Sequence, residues 1–258
     1  MTTHPSGAGH HDPNVDPFSA DIDANAGYLY TTNARLSSRL ANGRMTEAAM
    51  TVATFAGQTV IDIGCGDGTY TAELFLEGGA AVVHATDPSA EAVGVARSRT
   101  WERGAPVHFT VASAYRLPYP DDRFDIAHLR GVLHHMDDPV GALRESLRVA
   151  RRVVVIEPNG YNPGLKVLER CSRYHVEHGE KSYAPRTLDR WVSGLGGRVD
   201  TRLWAGFVPM FCPDWAARIT RRVQPVLERA PGLRAVGCAV YVFSAVRNRG
   251  AAVASRSR

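Results

Sequence analysis

The sequence predicts an α/β protein built on a doubly wound, mostly parallel sheet with helices on both faces. From residue 59 onwards, short apolar segments alternate with helical patterns, and short links join them. A cluster of glycines directly follows the first apolar segment. The β-branched run at residues 152–156 is typical of a strand buried on both faces, as in a parallel sheet.

Seven segments are predicted as strands. Each is short, apolar and bounded by turn residues or by a helical pattern. They comprise residues 59–63, 81–86, 107–111, 124–129, 152–156, 198–204 and 239–246.

Helical spacing of apolar residues fills most of the intervening chain. A first helical region, residues 28–55, is interrupted by Asn42-Gly43, which predicts a break. Asp138 and Pro139 have the residue types of an N-cap and a first helical position. The other predicted helices cover residues 69–77, 89–102, 165–178 and 185–195.

A long insertion, Ala205–Gly237, separates the last two predicted strands. It contains a helical pattern that places Trp215, Ile219, Val223 and Leu227 on one face, and Pro225 predicts a kink or a break in that helix. Insertions of this length in compact domains are usually functional. The insertion is therefore a candidate for acceptor binding, for a lid or for a homodimer contact.

Composition excludes several classes of protein. Hydrophobic residues make up 44% and charged residues 22% of the 258 residues, as in a globular protein, and no apolar run is long enough to cross a bilayer. Residues 1–16 lack the pattern of a signal peptide, so a cytoplasmic location and no membrane partner are expected. The four cysteines are scattered, which disfavours a disulfide framework or a zinc site. The net charge of +4 comes from arginines interleaved with acids, so a nucleic-acid partner is not expected.

The predicted organisation is a single domain, residues 18–248, between tails at residues 1–17 and 249–258 that lack apolar periodicity. Within it we expect a helical cap at residues 20–56 and a ligand-binding core at residues 57–158. Residues 159–185 and 205–237 are expected to form the acceptor or lid segments.

The glycine-rich turn carries the strongest functional signal. Gly64, Gly66 and Gly68 alternate with Cys65 and Asp67 at the end of the first strand, where glycine allows a sharp turn and a close approach to a ligand. The third glycine comes one residue too early for a dinucleotide site. Asp62, two residues before the first glycine, would oppose a pyrophosphate but suit a cationic ligand.

These residues resemble the first motif of the class I S-adenosylmethionine (SAM)-dependent methyltransferases, an acid followed by G-x-G-x-G. The resemblance covers residues 59–157, with looser agreement to about residue 246. Later segments also match, namely Asp87-Pro88 at the end of the second strand, Ser113–Tyr115 after the third, Leu117–Asp125 before the fourth and Gly131–Met136 after it. The family implies a Rossmann-like sheet of seven strands with the last one antiparallel, SAM as cofactor and no metal.

The resemblance also implies which residues bind the cofactor. Asp87 would accept hydrogen bonds from the ribose hydroxyls, and Ser113 stands where the family often has an aspartate that contacts adenine. Arg130 is a candidate for the methionyl carboxylate, with a surface ion pair as the alternative. Tyr28 could cap the cofactor or simply pack. The full predicted set is Tyr28, Asp62, Gly64, Cys65, Gly66, Asp87, Pro88, Ser113, Ala114, Tyr115 and Arg130.

A small organic acceptor is the favoured substrate class, and the aromatic residues and methionine at the start of the insertion suit an apolar or aromatic one. Methylation at a hydroxyl oxygen is favoured over methylation at nitrogen or carbon. His134 and His135 are the candidate catalytic bases, since histidine titrates near neutral pH and both follow the fourth strand. His175 and His178 form a second candidate pair, and Glu157 could orient an acceptor or cap a turn. The alternatives are an RNA- or protein-modifying methyltransferase and a non-enzymatic SAM-binding protein.

Overall fold

A computed structural model describes residue 31, residues 33–172 and residues 181–248 of the chain. The described residues contain one seven-stranded sheet in the order β3-β2-β1-β4-β5-β7-β6. Strand β7 pairs antiparallel with both β5 and β6, and the pairs from β3 to β5 are parallel. The predicted fold class is confirmed. The strands are β1 (Thr59–Ile63), β2 (Val82–Asp87), β3 (Val107–Val111), β4 (Phe124–Arg130), β5 (Ala150–Pro158), β6 (Gly197–Ala205) and β7 (Val240–Arg247).

Two apolar layers cover the two faces of the sheet, because side chains alternate along each strand. Ile61 and Ile63 of β1 belong to one layer, and Val60 belongs to the other. The helices that cover the sheet or extend from it are α1 (Leu36–Val52), α2 (Thr69–Leu76), α3 (Ala90–Glu102), α4 (Pro139–Val149), α5 (Pro163–Cys171), α6 (Pro185–Gly194), α7 (Asp214–Arg229) and α8 (Pro231–Gly237).

Helix α1 runs through Asn42-Gly43 without a break, so the predicted interruption is wrong. The helix buries Ala48, Ala49 and Val52 against the sheet. Packing of this kind outweighs the cost of about 1 kcal/mol that a glycine adds inside a helix.

Helix α7 is likewise continuous through Pro225, so of the two predicted effects of this proline, a kink or a break, the break is wrong. Two residues anchor the helix on its inward side, one directly before this proline and one three residues after it. Gln224 accepts a hydrogen bond from the backbone N–H of Phe207 (3.2 Å), and Glu228 accepts one from Gly206 (2.9 Å). These contacts hold both halves of the helix against the same loop.

Local signals elsewhere are confirmed. The Asp138 carboxylate caps α4 by accepting a hydrogen bond from the Gly141 N–H (2.8 Å), and Pro139 is the first helical residue. Within the described residues, no helix is both long enough and apolar enough to cross a membrane. His175, His178 and Tyr28 lie outside the described residues.

The strand order positions a ligand site. It reverses between β1 and β4, since β1 leads outward to β2 and β3 while β4 leads to β5. In open α/β sheets such a switch point opens a crevice at the carboxyl ends of the strands.

Candidate functional site

A cavity of about 880 Å³ lies at the carboxyl ends of the parallel strands. Its wall includes the segments that follow β1 and β4, the end of β2 and the end of β5. The sheet brings the predicted site residues to this one cavity, with Asp62 as the exception among those described. The lining includes Gly64, Cys65, Gly66, Asp87, Pro88, Ser113, Ala114, Tyr115, Arg130, His134 and His135.

The glycine turn has the conformation that its sequence predicts. Gly64, Gly66 and Gly68 have positive φ angles of 73°, 53° and 75°, in the left-handed region that favours glycine. A Cβ at Gly64 would lie 2.8 Å from the Val132 side chain, and one at Gly68 would lie 2.7 Å from the Cβ of Ala96. Two of the three glycines are therefore also required by packing inside the protein.

Asp87 closes β2 with its carboxylate at the cavity wall. One carboxylate oxygen accepts a hydrogen bond from the Gly66 N–H (2.9 Å), and the other accepts one from the Ser89 N–H (3.0 Å). Burial raises the pKa of Asp87 to about 6, although both N–H donors act to lower it. Asp87 therefore ties the glycine turn to β2, and its raised pKa means that its ionisation changes at about pH 6.

The segment after β3 is held in a compact turn. The Ser113 hydroxyl accepts a hydrogen bond from the Tyr115 N–H (3.3 Å), and the Tyr115 hydroxyl accepts one from the Asp138 N–H (3.3 Å). Ala114 is buried beneath it. This side of the cavity is therefore formed by an ordered turn. It carries Ser113 at the position where the related family often has an aspartate.

Asp62 lies beneath the glycine turn and does not line the cavity. Its carboxylate accepts a hydrogen bond from the Thr71 hydroxyl (2.6 Å) and contacts Nδ1 of His128 (2.8 Å). Both Asp62 and His128 are buried, and they are register partners on β1 and β4. The acid of the first motif thus braces the turn from below, and its cofactor contact stays a prediction.

His134 and Glu157 form a buried pair beside the cavity. Glu157, which is fully buried at the end of β5, contacts Nδ1 of His134 at 2.8 Å. Its other oxygen accepts hydrogen bonds from the N–H groups of Val132 (3.0 Å) and Leu133 (2.8 Å). An ionised carboxylate only accepts, so Nδ1 carries the hydrogen and the neutral ring has its basic lone pair on Nε2. The ring of His135 lies 3.8 Å from that of His134, centroid to centroid.

Comparison with known proteins identifies a methyltransferase domain. Residues 61–155 match the model of that domain. This part of the chain is the core of a class I SAM-dependent methyltransferase domain. An uncharacterized methyltransferase of Schizosaccharomyces pombe is 35% identical over 152 residues, which is 52% of this chain and 54% of that protein. A ubiquinone/menaquinone biosynthesis C-methyltransferase of Bdellovibrio bacteriovorus is 34% identical over 105 residues, or 40% of this chain and 45% of the relative.

The matches to these two curated relatives span only about half of their lengths. At the level of the fold, a SAM-dependent methyltransferase from Thermotoga maritima, described as a possible histamine N-methyltransferase, has a TM-score of 0.65. It is 16% identical, and the match covers 90% of this chain and 98% of that one. Outside residues 61–155, the similarity to that structure is therefore one of fold alone.

The donor set of the cavity fits SAM. The glycine turn leaves room at the cavity wall because Gly66 has no side chain, and each oxygen of Asp87 keeps a lone pair after accepting one backbone N–H. Ribose hydroxyls are donors that suit such a carboxylate. Among the described residues, no group of three or more His, Cys, Asp or Glu side chains is arranged to hold a metal ion.

The side chain of Arg130 is only 7% exposed, so its ion pair with Glu73 is not the surface pair given as the alternative. Its Nη1 donates to the Thr46 hydroxyl (2.8 Å) and lies 3.5 Å from Glu73, and its Nη2 donates to the Asn42 carbonyl (2.9 Å). The guanidinium carbon lies 3.4 Å from the centre of the Tyr70 ring. Arg130 therefore joins β4 to α1 and α2 at the cavity wall, and contact with a methionyl carboxylate stays a prediction.

The apolar end of the cavity is built from three segments that lie outside residues 61–155. Met45 comes from α1, Leu165 and Leu168 from α5, and residues 207–211 from the loop before α7. Phe211 has a positive φ of 65°, a strained conformation for an aromatic residue, and its carbonyl accepts a hydrogen bond from Arg35 (3.1 Å). The predicted helix of the insertion instead directs Trp215 outward, so the loop before it supplies the lining.

Sequence reasoning did not assign several lining residues. Asp67 pairs with Arg99 at 2.6 Å, and although burial raises its pKa, hydrogen bonds from Thr31 and Arg99 bring the pKa below its ordinary value. Its place inside the glycine motif was a signal for this role. Tyr70 carried no such signal, since its position at the cavity depends on the packing of α2 against Arg130.

Proposed function

We propose that this chain transfers a methyl group from SAM to a hydroxyl oxygen of an uncharged, largely apolar small molecule. One observation carries the proposal. A histidine whose Nδ1 is held by a buried carboxylate, His134 with Glu157, lines the same cavity as the Asp87 carboxylate. A base and a site for the methyl donor thus share one enclosed space.

The cofactor end of the cavity supports this assignment. Gly64 and Gly66 would allow close approach of the cofactor, Asp87 would accept the ribose hydroxyls, and Ser113–Tyr115 would lie along the adenine. When bound, SAM supplies an electrophilic methyl group on a positively charged sulfur. The chain must then align the acceptor, exclude water and accept a proton, and alignment alone can supply about 7–11 kcal/mol of the barrier.

His134 is the proposed base. Its Nε2 takes the proton of the acceptor hydroxyl, and the Glu157 carboxylate stabilises the charge that the ring acquires. Glu157 is a positioning residue, because its other oxygen is held by two backbone N–H groups and fixes the direction of the pair. His135, whose ring is tilted by 41° against that of His134, is the second candidate for the same role.

The charge of the lining supports an uncharged acceptor. Of the described residues that line the cavity, Arg130 is the only arginine or lysine, and it already contacts Glu73 and the Asn42 carbonyl. A phosphate or carboxylate on the acceptor would therefore enter without a free counter-charge, at a substantial desolvation cost. Phe207, Met210 and Leu165 suit an aromatic or aliphatic body instead.

The first experiment is a calorimetric titration with S-adenosylhomocysteine (SAH), with NAD as the control ligand. We expect micromolar binding of SAH and no binding of NAD. A panel of neutral phenols and alcohols, with matched carboxylates and amines, is then incubated with labelled SAM. Methylation at oxygen supports the proposal, whereas exclusive methylation at nitrogen or carbon overturns the choice of acceptor atom.

Variants test the role of the pair. His134→Ala should lower kcat by about 10²–10⁴-fold while the affinity for SAH stays unchanged. Glu157→Gln should lower kcat nearly as much, because an amide NH₂ facing Nδ1 favours the ring tautomer that lacks a basic Nε2. His108→Ala, an exposed histidine on β3, is the matched control and should behave as the wild type. A His134→Ala variant with normal turnover would return this residue to a structural role.

The two alternative functions, an RNA- or protein-modifying methyltransferase and a non-enzymatic SAM-binding protein, predict different results in the same assays. An RNA-modifying enzyme would bind RNA in a strongly salt-dependent manner and methylate it in preference to every small acceptor. A non-enzymatic protein would bind SAH and turn over no acceptor. Either result would replace the proposed substrate class while leaving the family assignment in place.

A further inference from the structure

Helix α7 presents an exposed apolar stripe that no other described element covers. The stripe consists of Trp215, Ile219, Val223 and Val226, spaced by four, four and three residues and therefore on one face of the helix. Trp215 is 69% and Val226 is 68% exposed. A contiguous apolar patch of this kind indicates a binding surface, whereas single exposed apolar residues are common and carry no such meaning.

Arginines flank this stripe along one side. Arg218, Arg222 and Arg229 are all exposed and follow the same helical repeat, displaced by less than a quarter turn from the stripe. Helix α7 contains two acidic residues, and neither neutralises the positive charge of these arginines. Glu228 is engaged by Arg44 at 2.8 Å, and Asp214 lies at the first helical position, away from the arginines of the later turns.

The third side of α7 packs against the protein. Ala217 and Gln224 are buried, and Arg44 of α1 forms a two-oxygen contact with Glu228. The helix therefore sits rigidly with its apolar stripe and its arginines facing outward. An outward face with a tryptophan, β-branched aliphatic residues and an adjacent row of arginines has the arrangement of a helix that lies in a membrane interface.

We propose that this chain docks on anionic lipid surfaces through α7, with the stripe entering the acyl boundary and the arginines contacting the headgroups. The charges favour this occupant over a second copy of the chain. In an antiparallel two-fold pairing of two α7 helices through the stripe, the arginine row of one copy would face the arginine row of the other, and these like charges would repel. The net charge of +4 also favours an anionic surface. No membrane partner is expected from the sequence, and docking through α7 would overturn that expectation.

Helix α7 directly follows the loop that lines the apolar end of the cavity, so docking through α7 would affect where that end lies. The helix begins three residues after Phe211, the last residue of the loop that lines the apolar end of the cavity. On the other side of that end, Leu168 of α5 lines the cavity and is also 48% exposed. A lipid-docked chain would therefore hold the apolar end of its cavity close to the membrane, which suits a lipophilic acceptor.

The test is co-sedimentation of the full chain with vesicles of phosphatidylcholine, with and without phosphatidylglycerol. We expect binding to the anionic vesicles, weak binding to the neutral ones, and loss of binding as salt rises. Replacing Arg218, Arg222 or Arg229 by Gln should weaken binding to anionic vesicles about fivefold for each arginine. Trp215→Ala and Ile219→Asp should also weaken it.

Trp101→Ala is the matched control, because Trp101 is 83% exposed but lies on α3, which covers the other end of the sheet. It should bind vesicles as the wild type does. SAH affinity is measured for every variant and should be unchanged, which separates vesicle docking from folding and from the proposed methyl transfer.

Three results would overturn the proposal. The wild type could fail to bind anionic vesicles. The arginine variants could lose binding while Trp215→Ala and Ile219→Asp keep it, which would indicate adsorption by charge alone. Analytical ultracentrifugation could show a dimer that Ile219→Asp converts to a monomer, which would assign the stripe to an interface between two copies.

Discussion

Lowering the pH from 8 to 5 should weaken the binding of SAH about tenfold through one carboxyl group, Asp87. Burial raises the pKa of Asp87 to about 6, and only the ionised form can accept hydrogen bonds from the ribose with both oxygens. At pH 5 about one molecule in ten keeps the ionised form, so the apparent affinity falls by the same factor. With an ordinary aspartate pKa of about 3.9, the affinity would hardly change over this range.

The stability of the unliganded protein separates this effect from unfolding. Because the pKa of Asp87 is raised in the folded state, the folded chain binds the proton more tightly than the unfolded chain does. The contribution of this group to stability therefore increases as the pH falls from 7 to 5. As the pH falls, the affinity for SAH should therefore decrease while the contribution of Asp87 to Tm increases.

Asp87→Asn is the variant that tests the assignment. An amide cannot titrate in this range, and its NH₂ would face one of the two backbone donors, Gly66 or Ser89. We expect SAH affinity to fall by about tenfold or more at pH 8, as for the loss of a hydrogen bond to a charged group, and to stay flat from pH 8 to 5. Calorimetric titrations at four pH values measure both. A wild-type affinity that is constant over this range, or a variant with the wild-type profile, would refute the reasoning.

Two further predictions concern stability, measured by urea unfolding. Gly68→Ala should cost about 1–3 kcal/mol, because φ is +75° and the new Cβ would lie 2.7 Å from that of Ala96, whereas Gly94→Ala has open space and should be neutral or stabilising. Equal effects of the two substitutions would contradict the packing argument. His128→Leu should cost about 3 kcal/mol, because it leaves the buried Asp62 carboxylate without its imidazole partner. A loss below about 1 kcal/mol would show that the Asp62–His128 contact is dispensable.

The sequence predicted features that depend on neighbours along the chain. The alternation of strands and helices, the cap at Asp138 and the left-handed glycines of the first turn all follow from local sterics and side-chain spacing. Most of the cavity lining was predictable for a related reason. Residues at the carboxyl ends of parallel strands meet at one edge of the sheet wherever the strands occur in sequence.

The errors have one physical origin. Local propensity predicted a break at Asn42-Gly43 and a kink or a break at Pro225. Neither helix breaks, because burial of α1 and the anchoring of α7 by Gln224 and Glu228 outweigh that propensity. Side-chain contacts across the fold thus decide where a weakly disfavoured helix continues.

Only the tertiary structure decided which groups are paired and which face outward. His128 meets Asp62 and Glu157 meets His134 because β4 lies between β1 and β5, a strand order that no local pattern encodes. The periodicity of α7 likewise identified an apolar face but not its direction. That direction follows from Gln224 and Glu228, which bind the loop at Gly206-Phe207 and turn the opposite face, with Trp215, towards the surroundings.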